Sequence, residues 1–72
     1  MNNDILKGKW NEFKGKLREQ WGELTDDDVA EIDGNREQLL GKLQQRYGMQ
    51  KERATEEVND WIEYLNREVD RS

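Results

Sequence analysis

The spacing of the apolar residues near the start of the chain constrains its fold more than any other feature. They recur at intervals of four, three, four, four and three positions, and they are Leu6, Trp10, Phe13, Leu17, Trp21 and Leu24. At about 100° of rotation per residue, this spacing places all six on one narrow stripe of an α-helix. The pattern therefore predicts an amphipathic first helix, which Gly22 can end in the left-handed conformation.

Capping signals predict two further helices. Thr25 followed three residues later by Asp28 is typical of a capping box, which predicts the start of a short second helix. Asn35 followed by Gln38 predicts the start of a third helix, and Gly48 is placed to stop it. The apolar face of that third helix comprises Leu39, Leu40, Leu43 and Tyr47.

A fourth helix begins near Gln50 and has the cleanest apolar stripe in the chain. Its members are Ala54, Val58, Trp61, Ile62, Leu65 and Val69. No segment alternates with period two for long enough to predict a strand. We therefore predict an all-α fold with four helices.

The supply of core-forming residues is small. Leu, Ile, Val and Phe together number 14 of 72 residues, whereas 40% of the chain is charged. Three Trp and two Tyr residues compensate in part, because each aromatic side chain buries about 150–250 Å². We expect a thin core whose main members are Trp10, Leu17, Trp21, Leu43, Tyr47, Val58 and Trp61.

The six glycines indicate an internal duplication. They form two triplets of spacing seven, the second starting 26 residues after the first: Gly8, Gly15, Gly22, then Gly34, Gly41 and Gly48. Two copies are too few for a solenoid. We predict one domain over residues 1–72, built from two similar helical hairpins.

Charge alternates along the chain. Residues 7–18 carry a net charge of +4 and residues 19–33 carry −7, followed by +3 over residues 34–55 and −4 over residues 56–72. Such segments can pair across helices, so we expect the surface largely to neutralise itself.

The basic segment has a second interpretation as a surface for a protein partner or a polyanion, formed by Lys7, Lys9, Lys14, Lys16 and Arg18. The interleaved aromatic residues lie on the core stripe, so they cannot also stack on bases. The net charge of −5 further disfavours a nucleic-acid partner.

Several classes of function are disfavoured by residues that the chain lacks. Without His or Cys, it has neither the usual general base nor a thiol nucleophile, and no ligand set for structural zinc. Asp26, Asp27 and Asp28 are better explained by helix capping than by a cation site. We predict no catalytic residues, cofactor or metal site. We also expect a monomer located in the cytoplasm, without membrane insertion.

Four short motifs stand in a characteristic order. They are Gly-Lys-Trp at 8–10, Lys-Gly-Lys at 14–16, Trp-Gly-Glu-Leu-Thr-Asp-Asp-Asp at 21–28 and Gly-Lys-Leu-Gln-Gln-Arg-Tyr-Gly at 41–48. Together they resemble the CsbD-like family of small bacterial stress-response proteins. The resemblance runs from about residue 5 to Trp61. It does not anchor the C-terminal part of the chain, so we expect residues 66–72 to fray.

This resemblance implies a compact four-helix domain similar to the SAM-like arrangement of two crossed helical hairpins. It also implies production during general or osmotic stress, and it implies no catalytic residue, cofactor or ligand. We expect a non-enzymatic stress-response protein that acts through its surface, either on an unknown protein partner or by protecting other macromolecules in bulk. The alternative is a nucleic-acid-binding module that uses the basic first helix.

Overall fold

The chain folds into five α-helices in a computed structural model, which describes the backbone of residues 2–71 and the side chains of residues 5–67. The helices are α1 (Asn2–Gly8), α2 (Trp10–Gln20), α3 (Asp26–Ile32), α4 (Arg36–Tyr47) and α5 (Lys51–Arg71). No strand occurs within residues 2–71, so the all-α prediction is confirmed. Helix α4 packs against α3 and α5, whereas α1 packs against α2 and α5.

The predicted first helix is divided at Lys9, which is why the domain has five helices instead of four. Lys9 leaves the helical conformation with φ −114° and ψ 25°. The loop after α3 packs closely against this break. A Cβ atom added at Gly34 would lie 3.2 Å from the Cα atom of Lys7 and 3.5 Å from the Cβ atom of Trp10. Gly34 also has a φ of +80°, so both its conformation and its surroundings require glycine.

The ends of the helices follow the sequence signals in part. Gly48 ends α4 with a left-handed φ of 67°, as predicted, and Asp33 ends α3 with a φ of 45°. The predicted left-handed end at Gly22 is wrong, because Gly22 is not among the residues of positive φ within residues 2–71. Instead, α2 ends where Trp21 adopts an extended conformation with φ −128° and ψ 90°.

Both predicted helix caps are confirmed. The Thr25 hydroxyl accepts a hydrogen bond from the backbone N–H of Asp28, and the Asp28 carboxylate accepts one from the N–H of Thr25, each at 3.1 Å. The side chain of Asn35 accepts a hydrogen bond from the N–H of Gln38, also at 3.1 Å. Each cap satisfies helix-terminal N–H groups that would otherwise have no intrahelical partner.

One hydrophobic core joins all five helices, and Trp61 of α5 occupies a central place in it. The Trp61 ring meets those of Phe13 and Trp21 edge-on, with ring centroids 5.6 and 5.1 Å apart. The other buried apolar side chains are Leu6, Leu17, Leu24, Ile32, Leu39, Leu40, Leu43, Ala54, Val58, Ile62 and Leu65. Val69, a predicted member of the α5 stripe, lies outside the described side chains.

Most of the predicted core is confirmed, with two differences. Leu17, Trp21, Leu43, Val58 and Trp61 are buried as predicted. Trp10 is only half-buried and packs against the core from its edge.

The prediction for Tyr47 is wrong, since this side chain is 38% exposed. Its hydroxyl oxygen accepts a hydrogen bond of 3.0 Å from the backbone N–H of Glu23. The phenol therefore lies over the loop between α2 and α3, where its polar end has a partner.

The glycine-based repeat corresponds to a structural repeat. A shift of 26 residues places α2 on α4, and it places α3 on the first two turns of α5. The equivalent pairs Phe13 and Leu39, Leu17 and Leu43, and Ile32 and Val58 are all buried.

We expect Trp61→Ala to cost about 3–5 kcal/mol, because it removes a large buried side chain and its two aromatic contacts. A core this small rarely supplies more than about 3–5 kcal/mol in total, so the variant should be largely unfolded at room temperature. Circular dichroism melts should show this, with Tyr64→Ala as the control, since Tyr64 is 56% exposed. A native-like melt of Trp61→Ala would contradict the central role of this ring.

Two glycine substitutions should have opposite effects on the free energy of unfolding. Gly15→Ala should raise it by about 1 kcal/mol, because Gly15 lies in α2 and an added Cβ would meet no atom within 4 Å outside the backbone of its own helix. Gly34→Ala should lower it by at least about 1–2 kcal/mol, the cost of left-handed backbone for alanine. Urea denaturation would measure both, and equal shifts of the two midpoints would contradict the packing of the Gly34 loop.

Candidate functional site

The five predicted basic residues do not share one continuous helix. Lys7 lies on α1, before the break, whereas Lys14, Lys16 and Arg18 lie on α2. Lys7, Lys14 and Lys16 are exposed, and they form no ion pair with the side chains of residues 5–67. These three lysines are the part of the predicted basic surface that faces solvent.

The remaining two cations make contacts within the fold. Lys9 is half-buried, and its Nζ atom donates a hydrogen bond of 3.0 Å to the side-chain oxygen of Asn66 on α5. Arg18 donates from Nε to the carbonyl of Leu24 at 3.0 Å and from Nη1 to Asp26 at 2.8 Å. Both cations thus bridge segments of the chain.

The aromatic residues of the basic segment face the core. Phe13 is completely buried and Trp10 is half-buried. Phe13 packs against Trp61, so its ring faces are not available to a base or a lipid. This confirms the prediction that Phe13 belongs to the core, whereas Trp10 belongs to it only in part.

Asp28 is the one buried charged side chain among residues 5–67, with 2% of its surface exposed. Arg46 of α4 donates to it twice, from Nε to Oδ2 at 2.8 Å and from Nη2 to Oδ1 at 3.0 Å. The Nζ atom of Lys42 lies 3.4 Å from Oδ1 and also pairs with Glu31. Since Thr25 donates its N–H to the same carboxylate, Asp28 ties the start of α3 to α4.

These contacts stabilise the ionised form of Asp28. The hydrogen bonds from Arg46 are the largest cause, and they hold the pKa of Asp28 well below its ordinary value of 3.8, despite the opposing effect of burial. The pKa of Arg46 is raised in turn, chiefly by its hydrogen bonds to Asp28. The pair therefore stays charged throughout the neutral and mildly acidic range.

The capping role of Asp28 follows from the sequence, but its pairing with Arg46 was not predicted. The internal repeat contains no signal for that pairing. A shift of 26 residues places Ala54 where Asp28 lies and Gln20 where Arg46 lies, so the pair occurs in one copy only.

The prediction of self-neutralisation is confirmed for four cations. Arg18 pairs with Asp26, Lys42 and Arg46 pair with carboxylates of α3, and Arg53 pairs with Glu57. The acidic segment of residues 19–33 is thus neutralised in part by the basic segments on either side of it. The arrangement supports helix packing, and it leaves other charges for interactions with solvent or a partner.

A groove along α5 is the structural feature that sequence reasoning missed. Its larger part lies between α2 and α5, has a volume of about 550 Å³, and is lined by Gln20, Glu57, Asp60, Trp61 and Tyr64. A neighbouring depression that shares Gln20, Trp61 and Tyr64 continues it to Lys16 and Glu19. We call these two depressions together the α5 groove.

A further depression lies beyond the α5 groove, near the start of α5. Tyr47 and Arg53 line it, and Arg53 donates to Glu57 of the α5 groove at 3.1 Å. Tyr47 and Tyr64 are the two exposed large apolar side chains among residues 5–67. Both therefore border depressions next to the same helix. The sequence feature that could have indicated the groove is Tyr64, an aromatic residue on the otherwise charged side of α5.

Within the described part of the chain, no group of three or more Asp or Glu side chains is placed to hold a metal ion. None of the helices in that part combines the length and the apolar character needed to cross a lipid bilayer.

We expect Asp28→Asn to lower the free energy of unfolding by about 2 kcal/mol, because hydrogen bonds to charged groups contribute about 1.5–3 kcal/mol. The neighbouring Asp27→Asn removes the same charge from an exposed position and should cost less than about 1 kcal/mol, through the helix dipole alone. Urea denaturation at pH 7 would measure both variants. Equal losses would show that the contact with Arg46 adds nothing.

The stability advantage of the wild type over Asp28→Asn should also depend on pH. Because folding lowers the pKa of Asp28, the advantage is fully present above the ordinary pKa of 3.8 and is lost as the pH falls below it. Denaturation curves should therefore show a constant difference between pH 7 and about pH 5, which shrinks below about pH 4. A difference that shrinks already between pH 7 and pH 5 would contradict this assignment.

Comparison with known proteins identifies relatives over most of the chain. Residues 4–56 match the model of the CsbD-like family. The UPF0337 protein YjbJ of Salmonella typhimurium is 59% identical over 61 residues, which cover 85% of this chain and 87% of that protein. The UPF0337 protein PA4738 of Pseudomonas aeruginosa is 55% identical over 65 residues, covering 90% of this chain and 100% of that protein. The chain belongs to the CsbD-like family.

Proposed function

We propose that the protein is a non-enzymatic stress-response protein that acts in the cytoplasm by binding other proteins through its surface. The stress role is supported by membership of the CsbD-like family. The binding role is supported by one observation above all: Tyr64 is a large aromatic side chain that is 56% exposed beside a groove. Tyrosine is enriched in protein interfaces because its ring packs against apolar groups while its hydroxyl forms hydrogen bonds.

Binding through a defined surface and protection in bulk require different surface residues. A bulk protectant needs to be abundant and soluble. Charged side chains provide the solubility, and no exposed aromatic ring is needed. A binding protein concentrates its affinity in a few residues, often aromatic ones. The exposed position of Tyr64 therefore favours binding over bulk protection.

The alternative, a nucleic-acid-binding module that uses residues 7–18, has less support. Single-stranded nucleic acids bind to exposed aromatic rings within a positively charged channel. Here Phe13 is buried, and Arg18 is engaged with Asp26. Three exposed lysines remain on a chain whose net charge is −5. Such a surface would attract a phosphate backbone only weakly.

Recovery of a labile enzyme after freezing would test the proposal. We expect the wild type to preserve more activity than an equal mass of an inert protein of similar charge, with two unrelated client enzymes. Tyr64→Ala should lose most of the effect, because it removes the exposed ring. Glu52→Gln is the control, since Glu52 is also exposed on α5 but lies outside the groove.

Each other outcome has a definite meaning. Equal protection by the wild type and both variants would contradict binding through this surface and support bulk protection. No advantage over the inert protein would contradict a role in protecting other proteins. Circular dichroism of each variant would show whether a loss of effect reflects unfolding.

A further inference from the structure

The length of the α5 groove fits a short stretch of extended polypeptide. Glu57, Trp61 and Tyr64 line it and follow one another at intervals of four and three positions, so they lie on one face of α5. At 1.5 Å per residue, the distance along the helix from Glu57 to Tyr64 is about 10 Å. An extended chain advances about 3.3 Å per residue, so about three residues would span this face.

The charges of the groove favour a cationic occupant. Glu57 already has partners within the fold, because its two oxygens accept hydrogen bonds from the Trp21 indole and from Arg53. Glu19 and Asp60 are exposed and have no ion pair with the described side chains, whereas Lys16 is the one exposed cation of the groove in the same part of the chain. The groove is therefore acidic on a protein that is itself acidic.

Tyr64 adds a second reason for a cationic occupant. Its exposed ring and the carboxylate of Asp60 line the same depression. A guanidinium group can lie over an aromatic ring while it donates hydrogen bonds to a carboxylate, and arginine combines both contacts better than lysine does. The apolar part of the arginine side chain would then cover the edge of Trp61.

We propose that the α5 groove binds a short, extended, arginine-containing segment of another protein, with a guanidinium group between Tyr64 and Asp60. This inference rests on the proposed function and specifies its partner. Extended segments become exposed in proteins that have partly unfolded, and stress causes such unfolding. Proline would favour binding further, because it holds a chain extended before it binds.

Fluorescence anisotropy with a defined peptide tests this assignment. The probe is a fluorescein-labelled peptide of ten residues in which arginine alternates with proline and leucine, and the comparison peptide has glutamate at each arginine position. We expect the wild type to bind the arginine peptide at least tenfold more tightly than the glutamate peptide at physiological ionic strength. Binding should weaken at least tenfold in Tyr64→Ala.

A matched pair of charge variants separates the groove from the general acidity of the protein. Asp60→Lys and Glu52→Lys change the net charge equally, and both residues are exposed on α5. Of these two residues, only Asp60 lines the α5 groove. We expect Asp60→Lys to weaken binding of the arginine peptide at least tenfold and Glu52→Lys to weaken it less than threefold.

Two results would overturn the inference. One is equal affinity of the wild type for the two peptides, or no binding of either one. The other is equal weakening by Asp60→Lys and Glu52→Lys with no effect of Tyr64→Ala, which would mean non-specific attraction between opposite charges. Either result would leave the proposed function standing wherever the wild type still protects enzymes during freezing in a Tyr64-dependent manner.

Discussion

The contact of Trp61 with Phe13 and Trp21 is the interaction on which the rest of the domain depends. It joins the α2 segment to α5 through the three aromatic side chains of the core cluster, whose other described members are aliphatic. The edge of the same Trp61 ring lines the α5 groove. The core and the candidate binding surface therefore share one side chain. A ligand in this groove would contact the side chain on which folding depends, and binding to the native state alone stabilises it by mass action.

The local features of the fold could be predicted from the sequence because each depends on residues that are close along the chain. The Thr25 capping box is complete within three residues, and the stripe of α2 places Phe13 and Leu17 in the core by helical geometry alone. The break at Lys9 could not be predicted in this way, since it lies against Gly34, which is distant in sequence. The sequence pattern contains no trace of that contact.

The candidate site was missed for a related physical reason. Periodicity identifies which face of a helix is apolar, and it assigned Tyr47 to the core because this residue lies at the edge of that face. A hydrogen bond from the Glu23 N–H to the phenol oxygen holds the ring at the surface instead, and no periodic pattern contains this information. Tyr64 was passed over because a single aromatic residue among charged ones carries no periodic signal. Of the predicted basic residues, Lys9 and Arg18 make contacts within the fold, and the charge pattern of the sequence does not contain this information either.

The combination of an aromatic ring with a carboxylate has a physical advantage for binding at high salt. A rise in salt shortens the Debye length from about 8 Å at 0.15 M to about 3 Å at 1 M, so binding that depends on separated charges weakens as the salt concentration increases. Lys7, Lys14 and Lys16 are exposed and would lose attraction for an anionic partner under those conditions. The packing of an apolar stem against Tyr64 is not screened, because it depends on the removal of apolar surface from water. A groove that uses both kinds of contact keeps part of its affinity at high salt, and this property distinguishes it from the basic segment as a binding surface.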